Sequence, residues 1–271
     1  MAYKIAIANC KGGIGKSTTA LNLADQLMRK KKRVLLIDTD PQRNSTTAYR
    51  AKYLGVPTLD DIFMKGFMAE DCIQKTQFGD IIAGDDSLFD ADTRIAPSPK
   101  MYKYIQKSLK NIEDKYDFII FDTPPKFGIL LGNVLECADG IICPVICDGF
   151  GVQGIQDFFD IVKEFQEDNE NLKVLGLLKV KYKGRQNLTA DIEKNTLPEY
   201  AKEMNSKVFK TAIRESVKCQ EAQTLGMRLS EYAPKSTTAE DYETLCKEIM
   251  GVIKWVQAKL QERKSLIFQT L

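Results

Sequence analysis

The chain has 271 residues, of which 44% are hydrophobic and 28% charged, and this composition supports the core of one large α/β domain. Its 39 lysines and arginines nearly balance 37 aspartates and glutamates, so net charge predicts no polyanionic partner and any nucleic-acid surface must be a local patch. The sequence contains no histidine, which excludes histidine-based acid–base catalysis and histidine metal sites.

The cysteine pattern and the N-terminal sequence both bear on the cellular compartment. Seven cysteines are scattered without a CxxC pair, at positions 10, 72, 137, 143, 147, 219 and 246, which indicates reduced thiols. The start MAYKIAIANCKGG does not resemble a signal peptide, and no apolar run approaches the roughly 18 residues needed to span a bilayer. We therefore expect a cytoplasmic protein.

Short apolar runs alternate with stretches of helical periodicity. The strand-like runs are Lys4–Asn9, Arg33–Asp38, Asp80–Ala83, Phe118–Asp122, Gly140–Val145 and Val174–Val180. They are apolar on both faces, which is typical of a parallel sheet covered by helices on each side. The pattern predicts an α/β fold with a mostly parallel, twisted sheet, as a single domain over residues 1–264 followed by a tail over residues 265–271.

A glycine-rich segment separates the first predicted strand from the first predicted helix. Its sequence, CKGGIGKST over residues 10–18, is a compressed variant of the phosphate-binding loop. Glycines let successive N–H groups point into a concave anion site, and the helix N-terminus adds partial positive charge. Lys16 is predicted to neutralise the β- and γ-phosphates, and the Ser17 hydroxyl to bind Mg²⁺. The pattern thus predicts a nucleoside triphosphate site.

The first predicted helix has one apolar face and a basic end. Its apolar face carries Ala20, Leu23, Ala24, Leu27 and Met28, spaced as in an amphipathic helix. The helix then runs into the basic residues Arg29–Arg33. Because cations suit a helix C-terminus, we favour a solvated helix end over a DNA or membrane patch for this run.

Aspartates follow two of the predicted strands. Arg33–Asp38 leads into the sequence DTDPQ, which contains Asp38 and Asp40, and Phe118–Asp122 leads into DTPP. Carboxylates at the carboxyl ends of parallel strands lie where α/β folds bind ligands. Asp122 fits the Walker B role of holding Mg²⁺ or its water, and Asp38 or Asp40 could position the attacking water.

The C-terminal part of the sequence predicts a long amphipathic helix. Its apolar positions are Tyr242, Leu245, Ile249, Val252, Val256 and Leu260, and docking on the sheet is the favoured role. The last residues, 265–271, could be frayed or bound to a partner.

These motifs resemble the ParA/MinD family of deviant Walker P-loop ATPases from residue 3 to about residue 255. The most specific element is Lys11, which in that family reaches across a nucleotide-sandwich dimer to the partner's phosphates. The resemblance implies an ATPase that uses ATP and Mg²⁺ and forms a homodimer on binding ATP, and it gives Gly12 a role in close approach of the subunits. It implies these roles: catalytic, Lys11, Lys16 and Asp40; nucleotide-binding, Lys11, Gly12, Gly13, Ile14, Gly15, Lys16, Ser17 and Thr18; metal-binding, Ser17, Asp122 and Asp38.

Later segments resemble the short, Soj-like ParA branch without an N-terminal helix-turn-helix. The matching stretches are residues 208–218, 221–222 and 231–236. This resemblance implies partitioning of a plasmid or chromosome, non-specific DNA binding, a nucleoid-associated location and a ParB-like partner that stimulates hydrolysis. The implied DNA contacts are Lys181, Lys183, Arg185, Arg214 and Lys218. Three residues depart from the family pattern. Arg43 stands where glycine is common after DPQ, Ser17 replaces the commoner threonine but preserves the hydroxyl for Mg²⁺, and Glu215 would repel phosphate.

Two alternatives remain open at this point. A MinD-like or pilus-type positioning ATPase at the membrane or cell pole would use the amphipathic C-terminal helix, but basic residues do not dominate its polar face, so a membrane partner is not favoured. A reductase resembling the nitrogenase iron protein would need bridging cysteines for an iron–sulfur cluster. Cys137, Cys143 and Cys147 fall near the right region, but buried thiols are ordinary in apolar strands.

Overall fold

The computed structural model describes residues 1–148, 154–183 and 192–269, with side chains described as far as Lys259. Its sheet has the strand order β3-β4-β2-β5-β1-β6-β7-β8. Neighbouring strands run parallel except for the antiparallel pair β3 and β4. The predicted α/β class and mostly parallel sheet are confirmed. The strands are β1 Tyr3–Ile7, β2 Val34–Asp38, β3 Ile73–Thr76, β4 Gly79–Ile82, β5 Phe118–Asp122, β6 Gly140–Val145, β7 Lys173–Tyr182 and β8 Val208–Arg214.

Helices connect the strands and cover both faces of the sheet. Short 3₁₀ turns cover Asp86–Asp90 and Leu109–Asn111, and a π-helical turn covers Ile192–Thr196. The α-helices are α1 Lys16–Arg29, α2 Asn44–Ala48, α3 Leu59–Lys65, α4 Ala69–Cys72, α5 Ala91–Arg94, α6 Tyr104–Ser108, α7 Ile129–Cys137, α8 Ile155–Asp168, α9 Leu197–Glu203, α10 Lys218–Thr224, α11 Leu229–Tyr232 and α12 Thr237–Gln269.

The six strands predicted from the sequence are the six inner strands of this sheet. Their predicted ends agree with the observed ends within two residues, and those of β5 and β6 agree fully. The two edge strands, β3 and β8, were not predicted. Their sequences, IQKT and VFKTAIR, mix polar with apolar residues and are only partly buried, because an edge strand faces solvent on its open side.

Two apolar cores form on opposite faces of the sheet. Successive strand residues point to opposite faces, so Ile5 and Ile7 pack in the core beneath α1 and α12 while Ala6 and Ala8 pack in the core beneath α3, α7 and α8. Every residue of β1, β2, β5 and β6 is buried. Burial on both faces is the reason that these strands are mostly apolar. The exceptions are Lys4 in β1 and the site residues Asp38 and Asp122 at the ends of β2 and β5.

The long C-terminal helix α12 docks on the sheet as predicted. Tyr242, Leu245 and Ile249 are buried in the core that α12 shares with α1. The helical backbone continues to Gln269, so the predicted boundary at residue 264 falls inside α12. The Leu260 side chain and those of the predicted tail lie outside the described side chains, and residues 270–271 lie outside the described residues. Among the described residues, no helix has both the length and the apolar character to cross a bilayer.

Candidate functional site

The predicted nucleotide and metal residues meet at one edge of the sheet. Strands β2, β5 and β1 are adjacent, and their register aligns Asp38 with Asp122 and Asp122 with Ile7. The ends of these strands therefore lie side by side, and the glycine-rich loop over residues 10–15 leaves β1 at this same edge. This is the position at which open α/β sheets bind ligands.

The glycine-rich loop has the backbone shape that its glycines predict. Gly13 and Gly15 have φ angles of 70° and 75°, in the left-handed region that glycine adopts without a steric penalty. Gly15 is the residue before α1, and the helix begins at Lys16 without a capping side chain. The first N–H groups of α1 therefore point toward the loop, where they can bind an anion.

Lys16 is a buried cation beside two carboxylates. Its side chain lies within the loop and its Nζ donates a hydrogen bond to the Lys11 carbonyl oxygen at 2.7 Å. Burial lowers the pKa of Lys16, while Asp122 and Asp40 raise it. The structure thus brings together the predicted Lys16, Asp40 and Asp122, which lie up to 106 positions apart in the sequence. The predicted Lys11 is half-buried at the start of the loop.

Asp122 ends β5 with its carboxylate fully buried. Its Oδ2 accepts a hydrogen bond from the Ser45 hydroxyl at 2.7 Å, while its Oδ1 has no hydrogen-bond partner among the described residues. Burial raises the pKa of Asp122, and the negative charge of Asp38 raises it further, whereas the hydroxyls of Ser45 and Ser17 lower it. One oxygen of Asp122 is thus held in place and the other is left for a cation.

Asp38 is held more completely than Asp122. Its Oδ2 accepts from the backbone N–H and the hydroxyl of Thr46, both at 2.7 Å, and its Oδ1 accepts from the backbone N–H of Asp40 at 3.2 Å. Burial raises the pKa of Asp38, and these hydrogen bonds oppose the rise. Since both oxygens are already engaged, Asp38 fits a role in shaping the loop better than the predicted role as a metal ligand.

Asp40 lies in a tight turn between β2 and α2. Its Oδ1 accepts from the Gln42 backbone N–H at 2.9 Å, and the Arg43 N–H closes the turn on the Asp40 carbonyl oxygen at 2.9 Å. Burial raises the pKa of Asp40, and Lys16 lowers it. The turn therefore fixes one Asp40 oxygen and leaves the other beside the phosphate-binding loop.

Arg43 has the left-handed backbone for which the family commonly uses glycine. Its φ is 58°, and its side chain tethers the turn to two neighbours. The guanidinium pairs with Asp86 at 2.8 Å and lies over the Tyr53 ring at 4.1 Å. The sequence departure at this position therefore keeps the glycine-like turn and adds side-chain contacts to it.

Sequence reasoning missed Ser45 and Thr46. They lie in the first turn of α2 and hold Asp122 and Asp38, respectively, and the Thr46 hydroxyl also accepts from the Gly84 N–H at 3.0 Å. The signal that could have found them is the run of hydroxyl residues at positions 45–47, directly after the DTDPQ turn.

The residues around Asp122 fit a magnesium ion. A cation at Oδ1 would satisfy a buried oxygen and offset the mutual repulsion of Asp38, Asp40 and Asp122. Ser17 lies close enough to lower the pKa of Asp122. The residues with known placement contain no cluster of three Cys, Asp or Glu side chains that could hold a metal alone. Mg²⁺ is commonly held by one or two protein oxygens with phosphate and water completing its shell.

The predicted DNA contacts whose placement is described lie at the adjoining ends of β7 and β8 and at the start of α10, and most of them are paired. Arg214 is bound by Asp241 at 2.6 Å, Lys218 by Glu221 at 2.8 Å, and Lys183 by Glu215 at 3.1 Å. Lys181 is exposed at the end of β7. Arg185 lies outside the described residues. The seven cysteines are free thiols, and Cys137, Cys143 and Cys147 are buried.

Comparison with known proteins gives matches along nearly the whole chain. Residues 2–174 match the family model for an AAA domain. The sporulation initiation inhibitor protein Soj of Bacillus subtilis is 33% identical over 258 residues, covering 92% of this chain and 98% of that protein. The chromosome-partitioning ATPase Soj of Thermus thermophilus is 31% identical over 254 residues, covering 93% and 96%.

Solved structures share the fold at lower identity. The McdA–ATP complex of Cyanothece superposes with a TM-score of 0.77 at 24% identity, covering 95% of this chain and 96% of that one. Cobyrinic acid a,c-diamide synthase of Mycobacterium smegmatis, with bound ADP and magnesium, gives 0.76 at 23% identity, covering 91% and 93%. The fold is shared with these proteins, while the Soj relatives and the AAA-domain match show that the chain belongs to the Soj/ParA family of partitioning ATPases.

Proposed function

We propose that this protein is a cytoplasmic ParA-type ATPase that hydrolyses ATP with Mg²⁺, dimerises on ATP and binds DNA without sequence preference. The observation that carries the proposal is the position of Lys16, buried in the glycine-rich loop and close to Asp40 and Asp122. A cation surrounded by helix N–H groups binds phosphates, and the adjacent carboxylates supply a metal ligand and a group that orients water.

The site residues have separate roles in hydrolysis. The loop N–H groups and Lys16 bind and orient the phosphates, and Ser17 and the open oxygen of Asp122 would hold Mg²⁺, which stabilises the charge of the transferring phosphoryl group when it is bound. Asp40 orients the attacking water through the oxygen that the turn leaves unbound. Thr46 keeps Asp38, and with it the start of this turn, in place.

Lys11 has a role between subunits in this proposal. In the family that the chain belongs to, the corresponding lysine acts on the partner's nucleotide, and a second cation stabilises the transferring phosphoryl group only once two subunits meet. Hydrolysis is thereby coupled to dimerisation. Gly12 leaves this face open, because a Cβ there would meet only Pro125, at 3.7 Å, within its own subunit.

DNA binding and a ParB-like activating partner complete the proposed cycle. Among the predicted DNA contacts, Lys181 and Lys183 are exposed, whereas much of the Arg214 charge is already offset by Asp241. Binding to DNA phosphates should be salt-sensitive and stronger with ATP than with ADP, since the dimer joins two surfaces.

Three substitutions test the assignments. Lys16→Ala should abolish binding of a fluorescent ATP analogue, Asp40→Ala should keep ATP binding but reduce phosphate release at least about a hundredfold, and Lys11→Ala should impair hydrolysis more than binding. Lys107→Ala, an exposed lysine on α6, is the matched control. Normal phosphate release from Asp40→Ala would refute the catalytic assignment.

A further inference from the structure

A cluster of unpaired cations surrounds the C-terminal end of α1. Arg29, Lys30, Lys31 and Lys32 follow one another there, and in the part of the chain that the structure describes none of their side chains forms an ion pair or hydrogen bond. Cations without a direct ion pair remain available to attract anions. This differs from the predicted DNA contacts Lys183 and Lys218, each of which has a glutamate partner.

Helix α12 extends this cluster with two further lysines, of which Lys247 forms an ion pair with Glu243 at 2.6 Å. Lys247 and Lys254 are seven residues apart and so lie on the same helix face. The α1 end is beside this face, because the pKa of Glu243 is lowered by Lys247 first and also by Lys30 and Arg29. We define the basic cluster as Arg29, Lys30, Lys31, Lys32, Lys247 and Lys254.

The backbone at Lys31 has the left-handed conformation that closes a helix. Its φ is 59°, and the N–H groups of Lys31 and Lys32 close the helix on the carbonyls of Met28 and Leu27 at 2.8 and 3.1 Å. Glycine is the usual residue at such a left-handed position. A cation near the last turn favours the helix dipole, but that effect fades within one turn, so it does not explain the lysines on α12.

We propose that the basic cluster is a DNA-binding surface that contacts the phosphate backbone without reading sequence. The proposal rests on the proposed function and adds a surface to it. Each unpaired cation that meets a phosphate releases a condensed counterion, which is the main source of non-specific affinity. This proposal departs from the sequence-based preference for a solvated helix end at residues 29–33.

The basic cluster and the predicted contact Arg214 can lie along one duplex. Arg214 is bound to Asp241 near the start of α12, and thirteen residues of helix separate Asp241 from Lys254, roughly 20 Å at 1.5 Å per residue. That length matches roughly six base pairs of DNA. Helices α1 and α12 pack together on the same side of the sheet, and Arg29, Lys30 and Lys247 all lie near Glu243.

A membrane surface is less suited to this cluster. Binding at a lipid interface requires apolar side chains that insert beside the cations. No large apolar side chain of α1 is exposed within the described residues. The four cations at the end of α1 therefore offer charge without an inserting group, which fits a polyanion in water. On α12 the exposed Trp255 follows Lys254, so the test below includes lipid vesicles.

The test compares two variants that each lose four positive charges. The cluster variant carries Lys30→Gln, Lys31→Gly, Lys32→Gln and Lys254→Gln, and glycine suits the backbone at position 31. The control carries Gln at Lys75, Lys100, Lys107 and Lys110, all exposed. Binding of a mixed-sequence duplex with Mg-ATP is measured across salt concentrations, and melting temperatures confirm that both variants fold.

The cluster variant should bind DNA at least about tenfold more weakly than wild type, with a salt slope reduced by roughly one for each lost phosphate contact. The control should stay within about threefold of wild type, since it loses only long-range attraction. Equal binding by the two variants would overturn the role of the basic cluster and would leave the proposed DNA-binding function standing. Failure of the wild type to bind DNA with Mg-ATP would overturn the DNA-binding function itself. Wild-type binding to anionic phospholipid vesicles but not to DNA would show that the partner is a membrane surface and not DNA.

Discussion

At the scale of single residues, the site is built around carboxylates that repel one another. Asp38 and Asp122 are both fully buried. Burial raises the pKa of each, and a neighbouring aspartate raises it further. Such an arrangement costs stability in the free protein, and a bound cation relieves the cost. Nucleotide binding and folding stability should therefore respond in opposite directions to changes at Asp122.

Asp122→Asn should stabilise the nucleotide-free protein while weakening binding of Mg-nucleotide. Burial raises the pKa of Asp122 to about 8, so the folded protein holds this proton to higher pH than the unfolded chain. The associated stability is full below the unfolded-state pKa and is lost as pH rises through the folded-state value. We expect the unfolding free energy at pH 8 to rise by about 1–3 kcal/mol, measured by urea denaturation from pH 5 to 8.5.

The control for this prediction is Asp117→Asn, because the pKa of Asp117 is shifted in the opposite direction to that of Asp122. Arg33 lowers the pKa of Asp117 through a hydrogen bond, so the negative charge is favourable there and its loss should not stabilise the protein. A stability gain of equal size in both variants would contradict the origin given for the effect at Asp122.

Ser45→Ala should weaken magnesium-dependent nucleotide binding. The Ser45 hydroxyl fixes the Asp122 Oδ2 at 2.7 Å, and a hydrogen bond to a charged group contributes about 1.5–3 kcal/mol. The Mg²⁺ concentration needed for half-maximal binding of a fluorescent ADP should rise about tenfold. Thr47→Ala, an exposed hydroxyl on the same helix, should leave this concentration unchanged, and an equal response of both variants would contradict the role of Ser45.

Much of this site could be predicted from the sequence. The glycine-rich loop and the strand-end aspartates are local patterns, and the parallel sheet brings strand ends together. The roles of Ser45 and Thr46 could not be predicted, because the contact between Ser45 and Asp122 joins residues 77 positions apart. The different roles of Asp38 and Asp122 likewise depend on which hydroxyl group donates a hydrogen bond to each carboxylate.

At the scale of elements, burial decides which strands the sequence predicts. The six inner strands are apolar on both faces and were predicted, whereas β3 and β8 occupy the two edges of the sheet and alternate in polarity. The apolar pattern that predicted α12 likewise marks positions that pack on the sheet, such as Tyr242, Leu245 and Ile249.

The segment containing α10 and α11 is braced against helices that follow the nucleotide motifs. Arg228, just before α11, pairs with the buried Asp25 of α1 at 3.2 Å and lies over the Phe78 ring at 5.6 Å. Arg50, just after α2, donates to the Leu225 and Gly226 carbonyls at 3.3 and 3.2 Å. This segment, which carries the predicted DNA contact Lys218, is thus tied to both α1 and α2.

Arg228→Ala should destabilise the protein by about 2–4 kcal/mol, because it leaves the Asp25 carboxylate buried without a counter-charge. Adding Asp25→Asn should recover part of the loss. Lys115→Ala, which breaks the exposed pair with Glu70, should cost less than about 1 kcal/mol. Urea denaturation measures all three, and an equally small loss for Arg228→Ala would show that the brace contributes little.

At the scale of the whole molecule, the sheet separates two surfaces. The phosphate-binding loop lies at the carboxyl ends of β1, β2 and β5, whereas the basic run over residues 29–33 leads into the amino-terminal end of β2. DNA bound at the basic cluster would therefore leave the nucleotide face available for a second subunit. A dimer would join two such clusters, and their combined affinity would exceed that of either one.

The mass of the protein in solution shows whether nucleotide joins two subunits. Size-exclusion chromatography with light scattering would compare the protein without nucleotide and when saturated with Mg²⁺ and a non-hydrolysable ATP analogue. We expect one subunit of 30.6 kDa without nucleotide and about twice that mass with it, because the role proposed for Lys11 is to act on the partner's phosphates. A single-subunit mass at saturation would contradict the shared site and the coupling of DNA binding to ATP.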